Sequence, residues 1–294
     1  NRDRLMVMNL SSGKIRQITD GSQCFSTYGA FGYKWSPDGK WFTLSYSARN
    51  HYPYDDIGIV SAKGGESIIN LTESGYTDGS PQWVLDGNAI LFKSERYGMR
   101  NHASWGTLED AMIVFLNRKA YEDWKMTDQE EELLKEVEKL DTAAVNKSKK
   151  SASKDIVIEL ENIENRIVRL TPSSSKMGSI ALSKDGKNLY YQASYEAGMS
   201  LWKYDLKKGM PAKIGASSGA LKWNDKQDVL FVLGSSFSKM KKDAKTLESI
   251  PVRTEIFVDL AAEREYMFNH VYRQEKERFY NKSMHGVDWE AMTV

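Results

Sequence analysis

Nucleophilic catalysis of acyl transfer needs a nucleophile, a base within hydrogen-bond reach and donors for the oxyanion. Serines and aspartates are abundant, but the four histidines, His51, His102, His270 and His285, stand apart from one another and from the single cysteine, Cys24. No spacing among them has the form of a zinc or other metal site, so no metal ligand is assigned. No Gly-x-Ser-x-Gly nucleophile elbow is expected either. The residues assigned to catalysis, to a cofactor and to a metal are therefore none, and no cofactor is implied.

Composition narrows the partners. Forty-one Lys plus Arg against 40 Asp plus Glu leave a net charge of +1, which gives no footprint for nucleic acid or an anionic membrane. The longest apolar run, 111–116, is far below the roughly 20 residues of a membrane-spanning helix. One cysteine excludes an internal disulfide framework without deciding the compartment. The chain opens at Asn1 inside a strand-like segment and ends just past what reads as a domain entrance. Both ends read as cut, which leaves periplasm and cytoplasm as alternatives.

The elements that would position any site come from a repeat. Trp35-Ser36-Pro37-Asp38-Gly39-Lys40 recurs as Trp83-Val84-Leu85-Asp86-Gly87-Asn88 and Leu182-Ser183-Lys184-Asp185-Gly186-Lys187, with a weaker copy at Trp223-Asn224-Asp225-Lys226-Gln227-Asp228. Asp-Gly is a tight-turn signal, since glycine accepts positive φ and aspartate bonds its own backbone. A β-rich run follows each turn. A second landmark, strand–turn–strand, spans 4–19, 56–72, 155–171 and 200–214, and three copies close on Ile18-Thr19, Leu71-Thr72 and Leu170-Thr171. The segment 255–260 reads as one more strand without a second half.

Asp38 and Asp86 lie 48 residues apart, and Leu182 and Trp223 lie 41 apart, the period of a four-stranded propeller blade. The predicted fold is all-β: a β-propeller over 1–259 with at least four blades, part of a larger propeller. The 99-residue gap between Asp86 and Asp185 places a helical and flexible insertion at about 97–154. Within it, 111–116 reads as a strand of the insertion. Thr127 and Glu130 form a capping box, and Leu133, Leu134, Val137 and Leu140 share one helical face. The Lys- and Ser-rich stretch 141–154 is expected to be the first cut by protease. Trp35, Trp83 and Trp223 occupy one blade position and are expected to be mostly buried between blades, with the Asp-Gly turns exposed. The aromatic and basic stretches 46–54 and 93–102 fall in blade loops, where ordinary surface is the default and a peptide-facing role the alternative.

From Leu260 the period becomes helical. Met267, Val271 and Tyr272 share a face, and Asp288 stands where it could cap a second helix. The run Glu263-Arg264-Glu265-Tyr266-Met267-Phe268, with Phe279-Tyr280-Asn281-Lys282-Ser283-Met284-His285-Gly286-Val287-Asp288-Trp289 after it, resembles the opening of the catalytic half of tricorn-like serine peptidases. The blade signatures Trp-Ser-Pro-Asp-Gly and Gly79-Ser80-Pro81-Gln82-Trp83 fit that family and are shared with TolB-like and prolyl-oligopeptidase propellers. The resemblance implies a parent peptidase whose serine nucleophile and histidine base lie downstream of residue 294, so that this chain alone is inactive. It also implies peptide or protein substrates, no organic or metal cofactor, and a parent able to form a homo-oligomer. On it, 260–294 begins the helical catalytic half, and His285 is a structural turn residue rather than the base. The rival is a non-enzymatic TolB-like binding module.

Overall fold

The structure, a computed structural model, describes residues 4–22, 32–48, 54–100, 106–142 and 155–293. The chain divides into two compact units, Asn1–Ile250 and Pro251–Val294.

The first unit contains four antiparallel four-stranded sheets, each in simple meander order. The first is β3 (Tyr33–Trp35), β4 (Trp41–Tyr46), β5 (Asp56–Ser61) and β6 (Ile69–Asn70). The second is β7 (Asp78–Val84), β8 (Ala89–Ser94), β9 (Asp110–Phe115) and β10 (Ile167–Arg169). The third is β11 (Lys176–Leu182), β12 (Asn188–Ser194), β13 (Ser200–Asp205) and β14 (Met210–Ala216). The fourth is β15 (Ala220–Trp223), β16 (Val229–Leu233), β17 (Phe237–Lys241) and β18 (Glu248–Ile250). A two-stranded ribbon, β1 (Met6–Met8) with β2 (Ile15–Gln17), precedes them. These sheets are propeller blades.

Each blade presents an apolar face to its neighbour, as it must, since one sheet cannot bury both faces alone. Leu5 and Ile18 of the ribbon segment pack on Phe42 and Leu44, and Ile57 and Ile59 on Ile90 and Phe92. Leu91 and Ile113 meet Ile180 and Leu189, and Tyr190 and Leu201 meet Leu230 and Val232. The three Leu/Ile-Thr endings do one job. The hydroxyl oxygens of Thr19, Thr72 and Thr171 accept hydrogen bonds from the backbone N–H of Leu5, Ile57 and Ala111, at 2.9, 3.0 and 3.2 Å. Each bond ties the end of a blade's outer strand to the start of the strand beside it.

Two turn aspartates, Asp38 and Asp185, staple neighbouring blades as well as closing their own turns. Asp38 accepts the Ile156 N–H at 3.1 Å, and Lys40 beside it pairs with Asp155. Asp185 pairs with Lys242 of the next blade at 2.6 Å. Partial burial alone would raise the Asp185 carboxyl, but the Lys242 ammonium and the Ser183 hydroxyl hold it at about 2.

Three expectations require correction. The segment 111–116 is not a strand of the insertion: β9 is the third strand of the second blade, paired with β8 from Ala89–Phe115 to Ser94–Asp110. Only β10 comes from 155–171, so the excursion falls between the third and fourth strands. The segment 255–260 forms no strand among the described residues; β17 and β18 complete the fourth blade instead. Gly87 and Gly186 are not exposed. Both adopt positive φ, and a Cβ on Gly87 would sit 2.5 Å from Ile156, while one on Gly186 would sit 3.0 Å from Leu85 and 3.1 Å from Trp124. The excursion covers both turns.

That excursion carries α1 (Arg118–Lys125) and α2 (Asp128–Thr142). Asn117 caps α1 by accepting the Ala120 N–H at 2.8 Å. The capping box forms as expected, with Thr127 N–H donating to Glu130 at 2.7 Å and Glu130 N–H donating to the Thr127 hydroxyl at 3.3 Å. Tertiary contacts fix the pair of helices on the third blade: Trp124 Nε1 donates to the Gly186 carbonyl at 3.0 Å, and Lys187 pairs with Asp128 and Glu131 at 3.1 and 2.6 Å. Leu133, Leu134 and Val137 of α2 are exposed. Most of 141–154 lies outside the described residues.

The second unit holds α3 (Leu260–Arg278), capped by the Asp259 carboxylate, which accepts the Ala261 and Ala262 N–H groups at 3.0 and 3.1 Å. Residues 284–293 fold back on its last turns. Tyr272 stacks on Trp289 with ring centroids 5.3 Å apart and donates to the Trp289 carbonyl, and Lys276 pairs with Glu290. Asp288 accepts the Ala291 N–H at 3.2 Å and so caps the short final turn.

Candidate axial site

The innermost strand of each blade, β3, β7, β11 and β15, contributes to one open cavity of about 550 Å³. Three side-chain bonds lace these strands together in order. Trp83 Nε1 donates to the Lys34 carbonyl at 3.1 Å, Gln82 donates to the Ile180 carbonyl at 3.1 Å, and Leu221 N–H donates to the Ser179 hydroxyl at 3.0 Å. Register shifts break the pairing of β7 between Gly79 and Gln82, and of β11 between Met177 and Ile180. A bulge releases residues from the ladder and bends its strand. The released residues include Ser80, Pro81 and Ser179, which line the cavity. Ser80 sits at φ +56°.

The tryptophans depart from expectation. Trp35 is 47% exposed, and Trp83 and Trp223 are half-buried. Where a preceding four-stranded blade exists, each touches it in its own way: the Trp83 indole N–H donates to the Lys34 carbonyl, and Trp223 stands edge-on to Tyr190 at 5.3 Å. Trp35 is preceded only by the two-stranded ribbon among the described residues. It rests on Phe42 of its own blade, with centroids 4.0 Å apart, and leaves much of its ring open. Trp35 and Trp83 line the cavity together with Tyr33, Pro37 and Pro81.

At the loop end of the second blade, a charged network orders the connections. Asp110, fully buried, accepts from Arg169 at 2.9 Å, from Thr171 at 2.7 Å and from Ser174 at 2.7 Å. Asp78, also fully buried, pairs with Arg96 at 3.1 Å, and Arg96 donates as well to the Thr72 carbonyl. Burial outweighs the Arg96 charge and pushes the Asp78 carboxyl up. Arg100 lies over the Tyr76 ring at 3.8 Å, and Arg169 over Tyr97 at 4.9 Å. This network anchors the described part of 93–102; residues 49–53 and 101–105, with His51 and His102, lie outside the described residues.

Beside the network, burial, with the Asp56 charge alongside, pushes the Asp55 carboxyl up to about 6. Its folded value exceeds its unfolded one, so the stabilisation is complete below about pH 4 and is lost as pH rises through about 6. Asp55→Asn keeps the neutral form at every pH. The variant is expected to exceed the parent by about 1 kcal/mol at pH 8, discounted for partial exposure, with the gap shrinking at pH 4. Urea midpoints at the two pH values check this. An equal difference at both would show that Asp55 titrates normally.

One motif escapes the sequence reading. Gly215-Ala216-Ser217-Ser218-Gly219 has the Gly-x-Ser-x-Gly spelling. Its context is wrong for a nucleophile elbow, because it joins β14 to β15 with no helix after it. The Ser217 hydroxyl accepts from Gln192 at 3.1 Å, and no histidine lies among the described residues of this unit. In the second unit, His285 takes φ +56° and its ring contacts the Tyr280 hydroxyl and Asn281. Those contacts hold a turn. No group of three His, Cys, Asp or Glu suited to a metal occurs among the described residues, and no helix among them is long and apolar enough to cross a membrane.

Residues 260–294 match the family described as the tricorn protease C1 domain. No curated protein sequence matches the chain. Among solved structures, the tricorn protease superposes with a TM-score of 0.69 at 11% identity, over 100% of this chain and 28% of that one. TolB from Acinetobacter baumannii follows with a TM-score of 0.51 at 14% identity, over 85% of this chain and 49% of that one. Hydrazine synthase from Kuenenia stuttgartiensis gives 0.52 at 13% identity, over 86% and 36%. The chain thus spans about a quarter of the tricorn protease chain, and identities this low speak for fold alone. The fold is the propeller shared by tricorn and TolB, and the resemblance to tricorn-like peptidases holds in sequence over 260–294 and in architecture beyond it.

Proposed function

We propose that these residues belong to a tricorn-like serine peptidase, in which the blades of 1–250 admit peptides toward a serine active site outside this chain. The observation that carries the proposal is the match of 260–294 to the tricorn protease C1 domain, directly after a run of propeller blades in the sequence. A stand-alone TolB-like binding module has no use for that segment. Hydrolysis in the parent would proceed by acyl transfer at serine, with histidine as base, and without metal or organic cofactor. Confining the serine behind a propeller protects folded proteins by geometry, since only extended or short chains reach it. The axial cavity, open between four innermost strands, is the part of this chain placed to meet such a guest.

The test blocks the cavity without removing a blade. In the longer protein carrying these residues, on a Cys24→Ser background, Ser80→Cys is labelled with a bulky polyethylene-glycol maleimide. Ser80 is exposed and lines the cavity. Hydrolysis of a fluorogenic peptide is expected to slow severalfold, while the same label at the distant, exposed Lys226→Cys leaves it unchanged. Equal turnover with both labels would rule out passage along this cavity.

A further inference from the structure

Among the described residues, the walls of the axial cavity carry two cations, Lys34 and Lys222, and no carboxylate. That is an excess of one sign in a chain whose charges otherwise balance at 41 against 40. Both lysines are exposed, and neither enters an ion pair among the described residues. Around the lysines the walls are aromatic and apolar, with Trp35 and Trp83 presenting ring surface. Apolar walls weaken the local screening of like charges and focus their field on whatever enters.

We propose that this cavity selects extended peptide segments bearing acidic side chains. A Glu or Asp carboxylate pairs with Lys34 or Lys222, and the apolar residue next to it lies against Trp35 or Trp83. An amphipathic acidic segment fits on both counts. A basic segment meets two like charges, and an uncharged one forgoes the pairing. The proposal rests on the peptide-admitting function above and adds the chemistry of the guest.

The test titrates the purified 294-residue chain with fluorescein-labelled peptides blocked at both termini, read by anisotropy. One peptide alternates Leu and Glu, a second replaces each Glu by Gln, and a third replaces each Glu by Lys. A fourth is the Gln peptide with a free carboxyl terminus. The Glu peptide is expected to bind about fivefold tighter than the Gln peptide at low salt, as two exposed ion pairs allow, with the gap closing at high salt. In the Lys34→Glu, Lys222→Glu variant the order inverts and the Lys peptide binds best. A loss of fold cannot produce such an inversion. Equal binding of Glu and Gln peptides, a preference tied to the free carboxyl terminus, or an order unchanged in the variant would each overturn the acidic selectivity while leaving peptide admission standing. Absence of binding by all four peptides would overturn both.

Discussion

Arg166→Met is expected to destabilise the first unit by about 2–4 kcal/mol, the largest stability loss from any single substitution considered. Arg166 is 3% exposed, and no carboxylate faces it among the hydrogen bonds it makes. Its guanidinium instead serves carbonyls: Nε donates to Phe115 at 3.1 Å, Nη1 to Glu161 at 2.9 Å, and Nη2 to Glu159. These bonds pin the returning segment of the excursion onto the end of β9, just where Glu159 N–H also meets the Leu116 carbonyl at 2.7 Å. Methionine preserves most of the stem's volume and removes every donor, so the carbonyl of the buried Phe115 and those of the returning segment lose their partner together. Arg166→Lys should lose nearly as much, because one ammonium cannot span the positions reached by a planar fork. Urea unfolding gives the loss. A variant within about 0.5 kcal/mol of the parent would mean that water replaces the guanidinium and that the returning segment is held by packing alone.

The parts of the fold that could be read in the sequence are those where the backbone restricts residue choice. Asp-Gly turns need positive φ, and Thr19, Thr72 and Thr171 each close a strand with the same hydroxyl contact, so both recur as visible spellings. The capping box at Thr127 is local and equally plain. The misplaced strands lack a pattern that marks them in one dimension. β9 reads as any apolar run would, and only its register with β8 assigns it to the blade. β17, Phe-Ser-Lys-Met-Lys, buries little but Met240 and has no apolar pattern to find, whereas 255–260 has β-rich residues and no partner strand. α1 is eight residues long, and its place is fixed by Tyr121 and Trp124 on Phe115, contacts invisible in one dimension.

The axial site was half legible. The sequence marks Trp35, Trp83 and Trp223 as equivalent, and the structure confirms a shared position at the end of an innermost strand. What it cannot encode locally is the blade standing before each one, and that decides whether the indole is covered. The lysines gave no signal at all: Lys34 and Lys222 are ordinary strand residues until four strands bring them to one cavity.

The second large effect concerns catalysis. This chain is expected to show no peptidase turnover, because a triad cannot be assembled from its described residues. Ser217, in the Gly-x-Ser-x-Gly spelling, bonds Gln192 rather than a histidine, and His285 is engaged with Tyr280 and Asn281. Without nucleophile and base together the covalent route is absent, a loss on the order of a millionfold in turnover for serine peptidases. The proposed parent, carrying a downstream serine centre, should cleave the same peptides and take up a fluorophosphonate probe. The decisive measurement is therefore fluorophosphonate labelling alongside hydrolysis of a mixed fluorogenic peptide library, run on this chain and on the longer protein that contains it. The account predicts labelling and turnover in the longer protein, at a serine beyond residue 294, and neither in this chain. Turnover by this chain that disappears on Ser217→Ala or His285→Ala, or a longer protein that neither labels nor cleaves, would contradict it.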